Sequence, residues 1–217
     1  DFLNMTALLC GSRFGRGLVR PGGAGFDLDA ERAAELGRRL DAGAKDAEVA
    51  IGLLWSTQSV MARFEDVGPV SRNIAAELGL VGPAARASGL DRDVRRDQPS
   101  GLFCFSHIPV STCEEGDVFS RAYLRWLEIQ HSIDFIRARL HALPAGAACA
   151  TLRAAAPEQF VVALNEGWRG EVCHVALTDA AGRFARYKVV DPSFHNWPGL
   201  AYALRNQEIS DFPICNK

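Results

Sequence analysis

The chain has 217 residues, of which 48% are hydrophobic and 23% are charged, as in ordinary globular proteins. These proportions exclude a disordered chain, a collagen-like fibre and a disulfide-rich miniprotein. Lys and Arg total 24 against 26 Asp and Glu, and the resulting net charge of -2 does not indicate a nucleic-acid surface. No apolar run approaches the ~20 residues that a membrane-spanning helix requires.

The six cysteines are too few and too widely spaced for a secreted disulfide framework, and no two form a CxxC pair. They indicate reduced thiols in a cytosolic protein. The chain begins with Asp1 rather than Met and opens directly into a helical pattern. We therefore expect an internal or C-terminal fragment of a longer protein.

Two helical segments open the sequence. The first is predicted over residues 1–18 and is broken at Arg20-Pro21-Gly22-Gly23. The second starts after Asp29, a residue type favoured at N-caps, and carries one apolar stripe up to Leu54. Gly43 leaves open whether this stripe is one helix or two.

Residues 64–115 are rich in Gly and Pro and predict ordered loop with short helical pieces, mainly at 70–78. Asp117 is the predicted cap of the clearest helix, which Pro144 and Gly146 end. Its apolar residues recur three and four apart and predict one seam that packs on neighbouring helices. The seam residues are Phe119, Ala122, Trp126, Ile129, Ile133, Ile136, Leu140 and Leu143.

Residues 171–178 and 183–190, joined by Asp179-Ala180-Ala181-Gly182, predict a β-hairpin. A last short helix is predicted to follow Trp197-Pro198, with the proline in its first turn. The predicted fold class is therefore mainly α with a small antiparallel β-hairpin, in a single domain over residues 1–217 that is incomplete at both ends.

Two segments carry the candidate chemistry, since the sequence has no P-loop, GxGxxG, HExxH or GxSxG motif. The first, Gly82–Asp97, is dense in Arg and Asp. It is either a solvated turn with weak local ion pairs or a rigid polar loop that lines a cleft. The second, Glu166–His174, leads into the first predicted strand, where Arg169 precedes a glycine and can reach into a cavity as a fixed cation.

Both segments resemble one superfamily of redox proteins. Glu166-x-x-Arg169-Gly170-x-x-x-His174 is similar to the E-x-P-R-G-x-x-x-H stretch of nickel–iron hydrogenase large subunits and to E-G-P-R-G in the D subunit of NADH-quinone oxidoreductase, respiratory complex I. Gly82-Pro83-x-x-Arg86-Ala87-Ser88-Gly89, followed by Asp93 and Arg95, resembles the G-P-x-x-R-A-S-G-x-x-x-D-x-R segment of the same superfamily. Order and spacing agree over almost the whole chain, and the resemblance is closest to the large subunits of formate hydrogenlyase and hydrogenase-4 type complexes.

The resemblance implies a hydrogenase-large-subunit-like helical bundle and a redox subunit of a membrane-associated, complex I-related assembly. It implies that Arg169 lies over the active site, as a cation that polarises substrate or stabilises developing charge, with His174 as a second catalytic candidate. Six further residues are implied to shape the cavity or the face towards an iron–sulfur small subunit. They are Arg20, Arg86, Ser88, Asp93, Arg95 and Glu166.

The implied cofactors belong largely outside this chain. A Ni–Fe centre in the full-length protein would be held by two CxxC pairs, and because neither is present we expect no metal and no cofactor on this segment. A 4Fe–4S cluster would lie on the partner small subunit, and NADH, where involved, would be oxidised on another subunit. Trp168 stands where the family has Pro, so the backbone next to Arg169 is expected to differ.

Three functions remain open. The chain is a fragment of a catalytic large subunit of hydrogenase or formate hydrogenlyase type, a metal-free protein like the complex I D subunit that forms a quinone cavity, or a structural fragment without activity. The implied partners are the iron–sulfur small subunit, other hydrophilic subunits and, through them, a membrane module, with no nucleic acid. We expect a position on the cytoplasmic face of the cell membrane, no activity of the segment alone, and an exposed apolar patch that makes the isolated segment dimerise or bind partners.

Overall fold

The structure is a computed structural model that describes residues 2–216. Helices account for about 47% of the chain, and the strands form two small antiparallel sheets. This composition confirms the predicted mainly α class with a small β part. Within the described residues, no helix is at once long enough and apolar enough to cross a membrane.

The secondary-structure elements are numbered in chain order. The α-helices are α1 (Phe2–Cys10), α2 (Ala30–Ser56), α3 (Gln58–Met61), α4 (Arg72–Glu77), α5 (Gly82–Ala87), α6 (Val94–Asp97), α7 (Val118–Leu140), α8 (Ser193–Ala203) and α9 (Phe212–Cys215). The strands are β1 (Val19–Arg20), β2 (Gly23–Ala24), β3 (Phe160–Gly167), β4 (Gly170–Thr178) and β5 (Phe184–Val190). Single 3₁₀ turns occur at Gly101–Phe105 and Ile209–Asp211.

The chain divides into two compact units. One consists of the residues up to Leu53 together with Gln130–Ala154, and the other consists of Leu54–Ile129 together with the residues from Ala155 onward. The prediction of a single domain, incomplete at both ends, stays a prediction. The second unit contains the charged residues Arg86, Asp93, Arg95, Glu128 and Glu166.

The first unit corrects the prediction for the N-terminal segment. The helix predicted over residues 1–18, of which residue 1 lies outside the described residues, ends at Cys10. The next residue, Gly11, has a φ of +72°, a left-handed conformation that stops a helix. The break at residues 20–23 is itself the turn of a small hairpin, in which Arg20 of β1 pairs with Gly23 of β2.

The helix predicted after Asp29 is present as one continuous element, α2. The backbone N–H of Arg32 donates to Asp29 Oδ1 at 2.8 Å, which confirms the N-cap. Gly43 does not interrupt the helix. It is buried against α1, where a Cβ would lie 3.1 Å from Phe2 Cζ, so its absence of a side chain allows the two helices to pack closely.

The segment at residues 64–115 contains more helix than predicted. The helical piece expected near residues 70–78 is α4. The charge-dense segment Gly82–Asp97 was predicted to be a loop, and this is wrong, because α5 and α6 occupy most of it. A hydrophobic core joins this region to α8 and consists of Val70, Ala75, Leu80, Ala85, Leu90 and Ala203.

Helix α7 begins at the predicted cap and is buried differently from the prediction. Asp117 Oδ1 accepts a hydrogen bond from the backbone N–H of Ser120 at 2.7 Å, which confirms the cap. Of the predicted seam, Ile133 is buried, whereas Ile136 is 44% exposed. Leu124, which lies off that seam, is fully buried. The single apolar seam is therefore only partly correct.

The main sheet has the order β3-β4-β5, all antiparallel. The predicted hairpin is β4 and β5, whereas β3 was not predicted. Gly167 of β3 pairs with Gly170 of β4, so Trp168-Arg169 is the two-residue turn of a second hairpin.

The start predicted for the last long helix is wrong. Helix α8 begins at Ser193, not after Pro198, because Asp191 Oδ1 accepts the Ser193 N–H at 2.8 Å and sets the first turn. Pro198 therefore lies inside the helix.

Candidate functional site

A fully buried arginine, Arg86 of α5, is the centre of a charge cluster. Its Nη1 donates to Glu166 Oε1 at 2.9 Å and to the carbonyl of Arg92 at 3.0 Å. Its Nη2 donates to Glu128 Oε1, and Asp93 Oδ2 lies 3.4 Å from Nη1. Carboxylates from the α6 cap, from α7 and from β3 therefore surround one guanidinium.

A second arginine completes the cluster. Arg95 donates to Asp93 through its backbone N, its Nε and its Nη2, at 2.9, 2.9 and 2.5 Å, and its Nη2 lies 3.8 Å from Glu128. Burial acts to raise the pKa of Asp93. The hydrogen bonds and charges of Arg95, together with the charge of Arg86, outweigh burial and hold this pKa below its ordinary value.

Glu166 is the carboxylate of the cluster whose pKa is raised. Burial raises the pKa of Glu166, and the nearby Asp93 charge adds to this effect against the opposing Arg86 guanidinium. Its second oxygen, Oε2, accepts the backbone N–H of Val94 at 3.2 Å. Three carboxylates face two guanidiniums here, so the cluster itself carries one surplus negative charge, in agreement with the raised pKa.

The cluster anchors the Trp168-Arg169 turn, because Glu166 lies on β3 two residues before it. A side chain of α8 holds the other end of the turn. Asn196 Nδ2 donates to the carbonyl of Arg169 at 2.9 Å, and Asn196 Oδ1 accepts the backbone N–H of Val81 at 3.0 Å. The turn is thus held from two sides, by the partly buried contact between Arg86 and Glu166 and by the exposed hydrogen bond from Asn196 to the Arg169 carbonyl.

Two glycines allow the start of α5 to approach the start of β4. A Cβ on Gly82 would lie 2.2 Å from Gly170 Cα, and a Cβ on Gly170 would lie 2.8 Å from Val81 Cγ2. Both glycines have positive φ, +62° and +130°. The Gly-Pro that opens the first motif and the Arg-Gly of the second motif are therefore in direct backbone contact.

The two predicted catalytic residues, Arg169 and His174, lie in different surroundings. Arg169 is exposed at the tip of the turn, and its positive charge contributes to lowering the pKa of Asp191, after the hydrogen bonds from Ser193. His174 lies further along β4, where its Nδ1 is 2.6 Å from the hydroxyl of Tyr187. None of the contacts found for His174 within residues 2–216 joins it to Arg169, and the catalytic role of each stays a prediction.

The remaining predicted residues are divided between the units. Arg20 belongs to the first unit, where its Nε donates to the carbonyl of Gly17 at 3.1 Å and its guanidinium lies 5.8 Å from the Phe26 ring centroid. Ser88 is buried and donates to the carbonyl of Ala84, one turn earlier in the chain, at 3.3 Å. The cavity or interface role predicted for the six residues stays a prediction.

Sequence reasoning missed three charged residues of α7: Arg121, Arg125 and Glu128. They are spaced four and three apart and share one side of the helix, a signal that was present beside the apolar seam. Arg121 is buried, and its Nη1 donates to the carbonyls of Gly68 and Gly116 at 3.2 and 2.7 Å. Burial lowers the pKa of Arg121.

The residues present do not supply a ligand set for a Ni–Fe centre. Such a centre needs several thiolates close together. All six cysteines are free, and no group of three or more His, Cys, Asp or Glu within residues 2–216 is arranged to hold a metal ion.

Comparison with known proteins defines the class. The family described as respiratory-chain NADH dehydrogenase, 49 Kd subunit, matches residues 1–159. The chain belongs to this family, which confirms the superfamily expected from the two motifs.

Individual relatives extend the match beyond residue 159. The chain is 32% identical over 207 residues to the carbon monoxide-induced hydrogenase of Rhodospirillum rubrum, covering 94% of this chain and 57% of the relative. It is 28% identical over 215 residues to formate hydrogenlyase subunit 5 of Escherichia coli K12, covering 98% and 37%. It is 29% identical over 196 residues to the D subunit of NADH-quinone oxidoreductase from Clostridium beijerinckii, covering 89% and 53%. The chain thus spans between 37% and 57% of the length of these relatives.

Proposed function

We propose that this chain is part of the large subunit of a membrane-associated, complex I-related oxidoreductase of hydrogenase or formate hydrogenlyase type. In this proposal it contributes to one hydrogenase-large-subunit-like helical bundle that forms an active-site cavity beside an iron–sulfur partner. The observation that carries the proposal is the Trp168-Arg169 turn, at which Arg169 is exposed. The hydrogen bond between Glu166 and the buried Arg86 holds the hairpin that contains this turn. The similarity to two relatives named as a hydrogenase and a formate hydrogenlyase subunit supports it.

Arg169 is the residue proposed to act on substrate. No carboxylate of the described residues forms an ion pair with its guanidinium, so its positive charge is available to a ligand. A cation on a fixed turn can polarise a bound substrate or stabilise negative charge that develops during reaction. His174, hydrogen-bonded to Tyr187, is the second catalytic candidate. Electrons would pass through the clusters of the partner, and the segment alone would be inactive.

A second function is that of a metal-free protein, like the D subunit of complex I, that forms a quinone cavity. The match of residues 1–159 to the NADH dehydrogenase 49 Kd family favours it, as does the similarity to the NADH-quinone oxidoreductase relative. Both functions place the chain with an iron–sulfur small subunit and other hydrophilic subunits, on the cytoplasmic face of the membrane. NADH, where it is the electron donor, would be oxidised on another subunit.

The test is the metal content and turnover of the parent complex, purified without oxygen. About one nickel per large subunit by mass spectrometry, with hydrogen turnover, would support the hydrogenase function. Iron without nickel, with quinone reduction that a site inhibitor blocks, would support the quinone function. A complex that performs neither reaction would contradict both.

The role of Arg169 is tested in the same complex. We expect Arg169→Lys to reduce turnover roughly a hundredfold, because a planar, two-pronged donor aimed at developing charge is replaced by a point charge. Arg183→Lys is the matched control, because Arg183 lies in the β4–β5 turn and pairs only locally with Asp179 at 3.2 Å. Equal turnover of the two variants would remove Arg169 from the reaction.

A further inference from the structure

Arg125 of α7 is a partly buried cation with an aromatic wall. Its Nη1 donates to the carbonyl of Arg121 at 3.0 Å, and its Cζ lies 5.9 Å from the centroid of the Trp168 ring. Trp168 is itself 57% exposed, so this end of Arg125 lies beside an open surface. The residue that departs from the family pattern is therefore the one that packs against Arg125.

Arg125 has no carboxylate partner of its own within residues 2–216. The nearest candidate on the helix is Glu128, but its Oε1 accepts from Arg86 and lies 3.8 Å from Arg95. The backbone carbonyl of Arg121 satisfies one donor of a guanidinium that has five. A partly buried guanidinium without an opposite charge is unusual, because burial of a cation is normally compensated by an ion pair.

Burial and three neighbouring arginines act against the charge of Arg125. Burial lowers its pKa to about 10, and the charges of Arg121, Arg169 and Arg86 add to this lowering against Glu128. The side chain remains charged at neutral pH. Arg121, one helical turn earlier on α7, also has two buried donors, Nε and Nη2, without a partner among the described residues. An anion beside Arg125 would offset the cost of holding its charge next to these like charges.

We propose that Arg125, with Trp168 as an apolar wall, binds the carboxylate group of a small ligand whose carbon skeleton lies on the indole ring. The guanidinium fork matches the two oxygens of a carboxylate, and the ring suits an aromatic or aliphatic body. A monoanion fits better than a dianion such as phosphate or sulfate, because the negative charge of Glu128, three residues further along α7, also acts on Arg125. The site does not depend on the redox function proposed above.

The experiment is residue-resolved labelling of the purified parent complex with phenylglyoxal, which condenses with the neutral form of a guanidine. Labelling of each arginine is followed by peptide mass spectrometry against increasing benzoate, at constant ionic strength set with sodium chloride. We expect Arg125 to label readily and benzoate to protect it saturably, with roughly tenfold protection at about ten times the Kd. Acetate, which lacks the aromatic body, should protect at higher concentration, and sulfate should not protect.

Two internal controls and one variant make the result specific. Arg137, paired with Asp41 at 2.8 Å, and exposed Arg186 should show no benzoate protection. In the Trp168→Leu variant, the benzoate concentration that halves the labelling rate of Arg125 should rise several-fold. The acetate concentration that halves this rate should change little. Labelling of Arg125 that benzoate does not slow would overturn the proposal. Absence of any labelling of Arg125 would overturn it as well, because a guanidinium covered in the complex cannot take up a diffusing ligand.

Discussion

At the scale of single residues, the Arg86 cluster is the feature that the rest of the site depends on. Buried ion pairs contribute little net stability, since desolvation of the charges consumes most of the Coulomb attraction. Their removal is nevertheless costly, because the partners are left buried and uncompensated. The cluster therefore fixes relative position more than it stabilises the fold. It ties α5, α6, α7 and β3 to one point.

Arg86→Met is the first prediction. It leaves three carboxylates facing Arg95 alone, and we expect the free energy of unfolding of the chain to fall by about 3–5 kcal/mol. Arg96→Met is the matched control, because Arg96 pairs with Asp91 and Asp97 on the surface, where an ion pair is worth under about 1 kcal/mol. Urea unfolding followed by circular dichroism measures both. Equal losses would show that the cluster contributes no more than a surface pair.

The raised pKa of Glu166 gives a second prediction, for the pH dependence of stability. A carboxyl group with a higher pKa in the folded state keeps its proton longer when folded, so the free energy of unfolding falls as the pH rises above the unfolded value near 4.5. This loss is complete once the pH exceeds the folded pKa. Asp93, with a lowered pKa, acts in the opposite sense and loses its contribution as the pH falls through its folded pKa.

Glu166→Gln separates the two contributions. The variant should lack the fall in stability above about pH 4.5 but keep the acid limb below it. Glu48→Gln, at an exposed position of α2 outside the cluster, is the control. Urea titrations at a series of pH values provide the data. If the free energy of unfolding of Glu166→Gln falls by the same amount as the pH rises, the fall arises from another group.

At the scale of elements, the Trp168-Arg169 turn is held in place by the start of α5, the β3–β4 hairpin and the start of α8. Asn196→Ala tests the contribution of α8, because it leaves the Val81 N–H and the Arg169 carbonyl without their partner. We expect the free energy of unfolding to fall by about 1 kcal/mol and amide hydrogen exchange at residues 168–172 to become faster. Asn73→Ala, at an exposed position of α4, is the control. Unchanged exchange in the turn would mean that α8 does not hold it.

The close backbone contact between Gly82 and Gly170 gives another prediction. Gly82→Ala places a Cβ against Gly170 at a positive φ, so we expect a loss of more than about 2 kcal/mol. Gly37→Ala on α2 is the matched substitution, because a Cβ there meets nothing within 4 Å, and should stabilise by about 0.5–1 kcal/mol. Thermal unfolding distinguishes the two. A neutral Gly82→Ala would contradict the close backbone contact.

Local signals were readable from the sequence, and long-range pairings were not. The caps Asp29 and Asp117 and the β4–β5 hairpin follow from nearby residues, and the structure confirms them. The partners of Arg86 could not be read, because Glu128 and Glu166 lie 42 and 80 residues further along the chain. The motif resemblance singled out Arg86 and Glu166 but not their contact, and it gave no reason to select Glu128.

At the scale of the whole molecule, the charge cluster joins the part of the chain that matches the 49 Kd family to the part that follows it. The family match, residues 1–159, includes four members of the cluster: Arg86, Asp93, Arg95 and Glu128. Glu166 and the Trp168-Arg169 turn lie beyond residue 159 and are covered by the individual relatives. Because these residues contact each other directly, the charge cluster spans both parts of the chain, and the β3–β5 sheet lies in the same compact unit as Leu54–Ile129.

That sheet also leaves an apolar face in solvent, which carries the prediction for the isolated chain. The rows Val161–Ala176–Tyr187 and Ala163–His174–Val189 share one face, and Val161, Tyr187 and Val189 are each about half exposed. An apolar sheet face of this kind associates when nothing covers it.

We expect the isolated chain to dimerise in sedimentation velocity and to bind a hydrophobic dye. The double variant Val161→Thr with Val189→Thr should weaken both several-fold while keeping strand propensity. Val19→Thr, at an exposed position of β1 in the first unit, is the control. A chain that sediments as a monomer at all concentrations and binds no dye would show that this face does not drive association.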